Sequence, residues 1–156
     1  MAHLKQTLML RGFSLLKIPL LFAVSPTVVS LEEDACEVKI PLNFLTKNHL
    51  GSMYFGVLAM GADCAGGVIA LDLIRKSGKK IGFIFKDFQA DFLRRAEADV
   101  HFHCSDGKKI RRIIAQTLKT GERANATLAI TATTPEISGD KPIAKCAITL
   151  SLKAGK

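Results

Sequence analysis

The sequence predicts an α+β domain in which a curved antiparallel sheet wraps one long buried helix. Two observations carry this expectation. From Leu50 to Leu71 the only charged residue is Asp63, and a helix apolar nearly all round must be buried nearly all round. On both sides of that run, apolar and polar residues alternate with the two-residue period of half-buried strands. Long antiparallel strands around one apolar helix imply a sheet curled about it.

From about His3 to Leu16, apolar Leu4, Leu8, Phe13 and Leu15 or Leu16 stand among polar residues, the pattern of an amphipathic helix. Pro19 and Pro26 bracket a short connection. Thr27 to Leu31 is rich in β-branched residues and reads as a strand. After a Glu32–Asp34 turn, Cys36, Val38, Ile40 and Leu42 alternate with polar residues and complete a hairpin. A loop over Asn43 to Ser52 leads into the long helix, expected from about Ser52 to Ile74 and ended by Gly78. Along one side of it lie Ser52, Gly56, Ala59, Asp63, Gly67 and Ala70, a stripe that admits a close neighbour.

Beyond the helix, Ile81, Phe83 and Phe85 alternate, and then Phe88, Ala90 and Phe92 continue with opposite parity. That switch predicts a β-bulge near Lys86 and Asp87. Ala98, Val100, Phe102 and Cys104 mark another strand. Ile110, Ile113, Ile114 and Leu118 predict a basic helix from Lys108 to Thr120, ended by Gly121. Two last strands, around Ala126–Ala132 and Cys146–Leu152, flank a hairpin loop from Pro135 to Pro142. One domain over 1–156 is expected, with 1–25 as N-terminal helix and connection and 26–153 as core.

Composition narrows the function classes. Aromatic residues make up 6%, with one Tyr and no Trp, too few for a base-stacking platform. The formal charge of +8 is distributed in pairs such as Lys79–Lys80, Arg94–Arg95, Lys108–Lys109 and Arg111–Arg112, without an unbroken basic tail. No nucleic-acid partner is expected. Cys36, Cys64, Cys104 and Cys146 lack zinc-ligand spacing and suit a reducing cytoplasm. The N-terminal apolar run is short and broken by Pro19, unlike a signal peptide. The Leu50–Leu71 run could span a bilayer by length, but Asp63 would then cost roughly 2.5–3.5 kcal/mol. A buried helix avoids that cost, so no membrane partner is expected.

The stretch from Asn48 to Gly67, NHLGSMYFGVLAMGADCAGG, and the stretch from Phe88 to Ala96, FQADFLRRA, resemble the loop, central helix and following strand of hotdog-fold thioesterases. The resemblance is to the phenylacetate-pathway type and a related branch of uncharacterised proteins, and covers Pro26 to Lys153. It implies the hotdog fold, acyl-CoA or similar acyl-thioester substrates, and coenzyme A only as part of the substrate. It also implies homodimers joined edge to edge, often paired into tetramers, with active sites between subunits. One departure stands out. Counted from Gly51, the position where many members carry a catalytic acid is Ala59, and the nearest carboxylate is Asp63, one turn later.

Thioester hydrolysis needs a polarised carbonyl and an activated water. Gly51 and Ser52, at the expected helix start, would offer backbone N–H groups to the carbonyl; an ordinary helix start capped by Ser52 is the structural alternative. Asp63, isolated among apolar residues, would act as general base. Asn48 and His49 would contact the acyl carbonyl or the water. Tyr54, Phe55, Ala59 and Phe88 are expected against the substrate, and Arg94 and Arg95, with Arg111 and Arg112 as further candidates, at the phosphates of coenzyme A. Asp99, His101 and His103 share one strand face, which more often is solvated than metal-bound, and no metal is expected. The functional alternatives are a non-catalytic module binding an acyl or CoA ester in the same groove, and a dehydratase using His49 with Asp63.

Overall fold

The computed structural model describes residues 3–155; Met1, Ala2 and Lys156, at the ends of the expected domain, lie outside the described residues. In chain order the elements are α1 (Leu4–Lys17), α2 (Pro19–Ala23), β1 (Thr27–Leu31), β2 (Cys36–Ile40), α3 (Phe55–Lys76), β3 (Ile81–Phe92), β4 (Val100–Cys104), α4 (Gly107–Thr120), β5 (Ala124–Thr133), α5 (Pro135–Ser138) and β6 (Pro142–Ala154). The strands form one antiparallel sheet in the order β1-β2-β4-β5-β6-β3. Helix α3 packs against β2, β4, β5, β6 and β3. This is the hotdog architecture that the sequence predicts. The helix is long and apolar enough to cross a bilayer by composition, yet here it is the core of the fold.

Two contacts set how closely the sheet approaches α3. A Cβ added at Gly61 would lie 2.1 Å from the Phe102 ring, and one at Gly66 would meet Phe85 and Leu128 at 3.4 Å. Phe102 is fully buried, so the missing side chain at 61 is the space that its ring occupies. The predicted bulge is present: Phe85 pairs with Leu150 and Phe88 with Ile148, which leaves one extra residue on β3. Helix α4 buries Ile110, Ile113 and Ile114 and packs against β5, β6 and α3.

Several expectations need correction. Helix α3 begins at Phe55, three residues after Ser52, because the preceding residues are taken up by a tight loop. Its last residue is Lys76. The connection after α1 contains α2, whose Pro19 sits in the first turn, where its fixed φ suits a helix and its missing N–H is not needed. The Pro135–Pro142 loop contains α5, and β6 is longer than expected at both ends.

A further correction concerns α1, which is turned over relative to its hydrophobic pattern. It buries Thr7, Leu10 and Ser14 and exposes Leu4, Leu8, Leu15 and Leu16. Bonding explains the inversion. The Thr7 hydroxyl accepts the Val28 amide at 2.9 Å, the Ser14 hydroxyl donates to the Leu10 carbonyl at 2.7 Å, and Arg11 donates to the carbonyls of Pro26 and Ser25.

The Gly61–Phe102 contact predicts the sign of a substitution. Gly61→Ala gains about 1 kcal/mol of helix propensity, but overpacking against a buried ring costs about 1–3 kcal/mol. Urea unfolding is expected to show net destabilisation, and Phe102→Leu in the same chain is expected to recover part of it. Additive losses in the double variant would contradict the contact.

Candidate functional site

The residues before α3 form a self-bonded loop. Asn48 is its hub: its side-chain oxygen accepts the amides of Leu50 at 2.9 Å and Ser52 at 3.2 Å, and its backbone amide donates to the Ser52 carbonyl at 2.7 Å. Gly51 stands at φ +80°, a conformation that favours glycine, and donates to the Asn48 carbonyl at 3.1 Å. The loop is tied to the body by Met53 N–H to the Ala96 carbonyl and Tyr54 N–H to the Thr46 carbonyl, both 2.8 Å. Arg95 adds a bond to the Leu50 carbonyl at 2.8 Å.

The amides of Gly51 and Ser52 are therefore already used, and neither is free to polarise a carbonyl. Ser52 does not cap the helix either; the N-cap is Tyr54, which makes no side-chain cap bond. Val57 and Leu58 donate to the Tyr54 carbonyl at 2.9 and 3.2 Å. Among the described residues, the Phe55 and Gly56 amides have no acceptor. They sit at the positive end of a 22-residue helix. The Tyr54 ring lies over Gly56, where a Cβ would be 2.6 Å from it.

A cavity of about 350 Å³ opens at this helix start. Of the residues proposed from sequence it brings together Asn48, His49, Ser52, Tyr54, Phe55, Arg94 and Arg95. Arg94 also donates to the Pro142 carbonyl at 2.5 Å. The sequence reading missed Phe92, which lines the cavity and meets Phe55 edge-on at 6.4 Å between ring centres. Its place in the Phe88, Ala90, Phe92 alternation, next to Arg94, was the available signal. Ala59 and Phe88 lie outside this cavity: Ala59 is half-buried further along α3, and Phe88 is exposed on β3. Arg111 is committed elsewhere, to Asp34 and Glu33, and Arg112 is exposed on α4.

Asp63 also lies outside this cavity. It is half-buried on α3 and forms no hydrogen bond or ion pair with another described residue. Burial alone pushes its carboxyl above the ordinary carboxylate range.

The family model described as a domain of unknown function, DUF4442, matches residues 6–152. The chain belongs to that family. The DUF4442 chain also resembles solved structures along nearly its whole length. One is a Pseudomonas aeruginosa protein of unknown function described as a probable thioesterase (24% identity, 96% of each chain covered, TM-score 0.76). Another is a Shewanella oneidensis protein described as a thioesterase in prospect rather than proven (14% identity, 97% of this chain and 99% of that one, TM-score 0.76). A third, from Chlorobaculum tepidum, has unknown function (13% identity, 96% and 94% covered, TM-score 0.82). At these identities they establish shared fold. No curated protein matches the chain.

Elsewhere in the DUF4442 chain, the remaining candidates have structural partners. His101 Nδ1 meets Glu37 Oε1 at 2.5 Å. Burial alone would raise Asp99, but the Leu42 amide at 2.9 Å and Lys39 at 3.2 Å outweigh it and hold the carboxyl low. The four cysteines are buried free thiols. Burial pushes Cys36 up to about 12 and Cys146 to about 11, which leaves them poor nucleophiles.

The raised Asp63 carboxyl sets a pH dependence. The folded chain holds that proton to higher pH than the unfolded chain, so stability falls as pH rises between the two pKa values. Asp63→Asn is expected to raise the melting midpoint by a few degrees near pH 7, with the gain vanishing near pH 3, where both states are protonated. A lower midpoint near pH 7 would mean that the carboxylate is paired.

Proposed function

We propose that this chain is a thioesterase that hydrolyses acyl-coenzyme A or a similar acyl thioester, at a site completed between two copies. The observation that carries the proposal is the pair of free amides at Phe55 and Gly56, at a helix start where Phe55 lines a cavity together with Arg94 and Arg95. A thioester carbonyl seated there accepts both N–H groups, which stabilise the oxyanion as it forms. The arginines suit the phosphates of coenzyme A. Asp63 takes a proton from water as the water oxygen bonds to the carbonyl carbon. The tetrahedral intermediate collapses, the C–S bond breaks, and the thiolate recovers a proton from the Asp63 carboxyl. The fold shared with proteins described as thioesterases supports this reading.

Gly56 is the second residue of α3, and Asp63 stands two turns beyond it (63 − 56 = 7). Seven residues of helix rise about 10 Å, whereas an attacking water bridges about 3 Å to each side. One chain therefore cannot easily serve one carbonyl with both groups. A second copy can. Strand β3 is an edge strand of 12 residues, exposing Ile84, Phe88 and Phe92. Such an edge invites pairing with another chain. Pairing there would bring the partner's helix toward the half-buried Asp63 face.

Thiol release from a panel of acyl-CoA esters tests the proposal. Asp63→Asn is expected to lower kcat by at least roughly 100-fold. Phe55→Pro removes one donor at a position where proline is compatible with the helix, and is expected to cost roughly 100- to 1000-fold; Phe55→Leu, which keeps the amide, is expected to cost far less. Absence of turnover on every ester, with retention of a bound ester, would replace hydrolysis by binding.

A further inference from the structure

We propose that the α1–α2 face docks onto the surface of an anionic lipid bilayer. The inversion of α1 is the starting point. Its inward residues include two hydroxyls, while Leu4, Leu8 and Leu16 are 70%, 62% and 80% exposed. Helix α2 continues the surface with Leu20 and Phe22, 62% and 41% exposed. Large apolar side chains exposed together along α1 and α2 mark an interaction surface. Beside it, a mainly apolar cavity of about 230 Å³ lies between Met9, Leu10 and Phe13 of α1 and Val68 and Leu71 of α3, lined also by Asp72, which is paired with Arg75 and Lys76. Polar bonds from Thr7 and Arg11 hold the helix in place, leaving its leucines directed outward.

Charge identifies the occupant. No Asp or Glu occurs before Glu32, while Lys5, Arg11 and Lys17 are all basic. Arg11 is engaged with backbone carbonyls, and Lys5 and Lys17 are exposed. Leucine and phenylalanine flanked by lysine on a helix lying flat is the composition that inserts into the interfacial layer of anionic membranes. The net charge of +8 adds attraction at longer range. A second copy seated on this face would place lysines against lysines. The face also lies beside β1, where His3 N–H donates to the Val28 carbonyl, at the opposite sheet edge from β3. Pairing through β3 would therefore leave it uncovered. The segment is too interrupted by charge to span a bilayer, so docking is superficial, and the buried α3 takes no part in it.

Flotation of the full chain with lipid vesicles tests this. Binding is expected to phosphatidylcholine vesicles containing about 30 mol% phosphatidylglycerol, with much weaker binding to phosphatidylcholine alone and loss at high salt. The Leu8→Ser/Leu16→Ser/Leu20→Ser variant, altered only at exposed positions, is expected to lower the partition coefficient at least roughly tenfold. Lys5→Glu/Lys17→Glu is expected to lower it by roughly tenfold or more. Both variants should keep the wild-type melting midpoint and oligomeric state. The proposal is overturned by absence of binding to the anionic vesicles, by binding that neither variant weakens, or by a serine variant that breaks up an assembly of the chain, which would give the face to a second copy.

Discussion

The position of the Phe102 ring against Gly61 governs the rest of the structure. A buried aromatic on the central strand β4 needs a gap in the helix that crosses it, and glycine at 61 supplies the gap. This fixes the height and the axial position of α3 relative to the sheet. The helix start then falls beside the end of β3, where Phe92 meets Phe55, and a cavity opens between them. A side chain at 61 would lift the helix and separate those two ends. The site thus depends on packing two turns away from it.

Alternation and periodicity made most of the fold legible. The bulge at Lys86 and Asp87 was visible because the parity of the apolar positions changes between Phe85 and Phe88, and the burial of α3 because its apolar residues surround it. The helix start was harder to read. Ser52 looks like a cap, but the Asn48 side-chain oxygen closes the loop by accepting the Leu50 and Ser52 amides, so the helix starts only at Phe55. That displacement of three residues changes which amides are free. The orientation of α1 was illegible for another reason. Hydrophobic pattern predicts burial of leucine, whereas here hydroxyl and guanidinium bonds to the β1 region decide which side faces inward.

Of the proposed site residues, those from the loop, the helix start and the Arg94–Arg95 pair converge in one cavity, because the loop is tied to Ala96 by the Met53 amide and to Thr46 by the Tyr54 amide. Asp63, Ala59 and Phe88 stand apart from it, and sequence spacing could not foresee the separation. The rise of an α-helix gives the separation a meaning. In the proposed reaction, the unpaired carboxylate and the free amides, two turns apart on one helix, are supplied to each site by two copies.

Subunit complementation tests that central claim most directly. Asp63→Asn and Phe55→Pro proteins, each lowered at least roughly 100-fold alone, are mixed, exchanged and assayed for acyl-CoA hydrolysis. If each site takes its amides from one copy and its carboxylate from the other, half of the randomly formed dimers are mixed and each carries one intact site. Activity should then return to about a quarter of wild type, by the statistics of a two-fold assembly. Mixtures that stay at the level of the separate variants although mixed dimers form would place both groups of each site in a single chain and contradict the account.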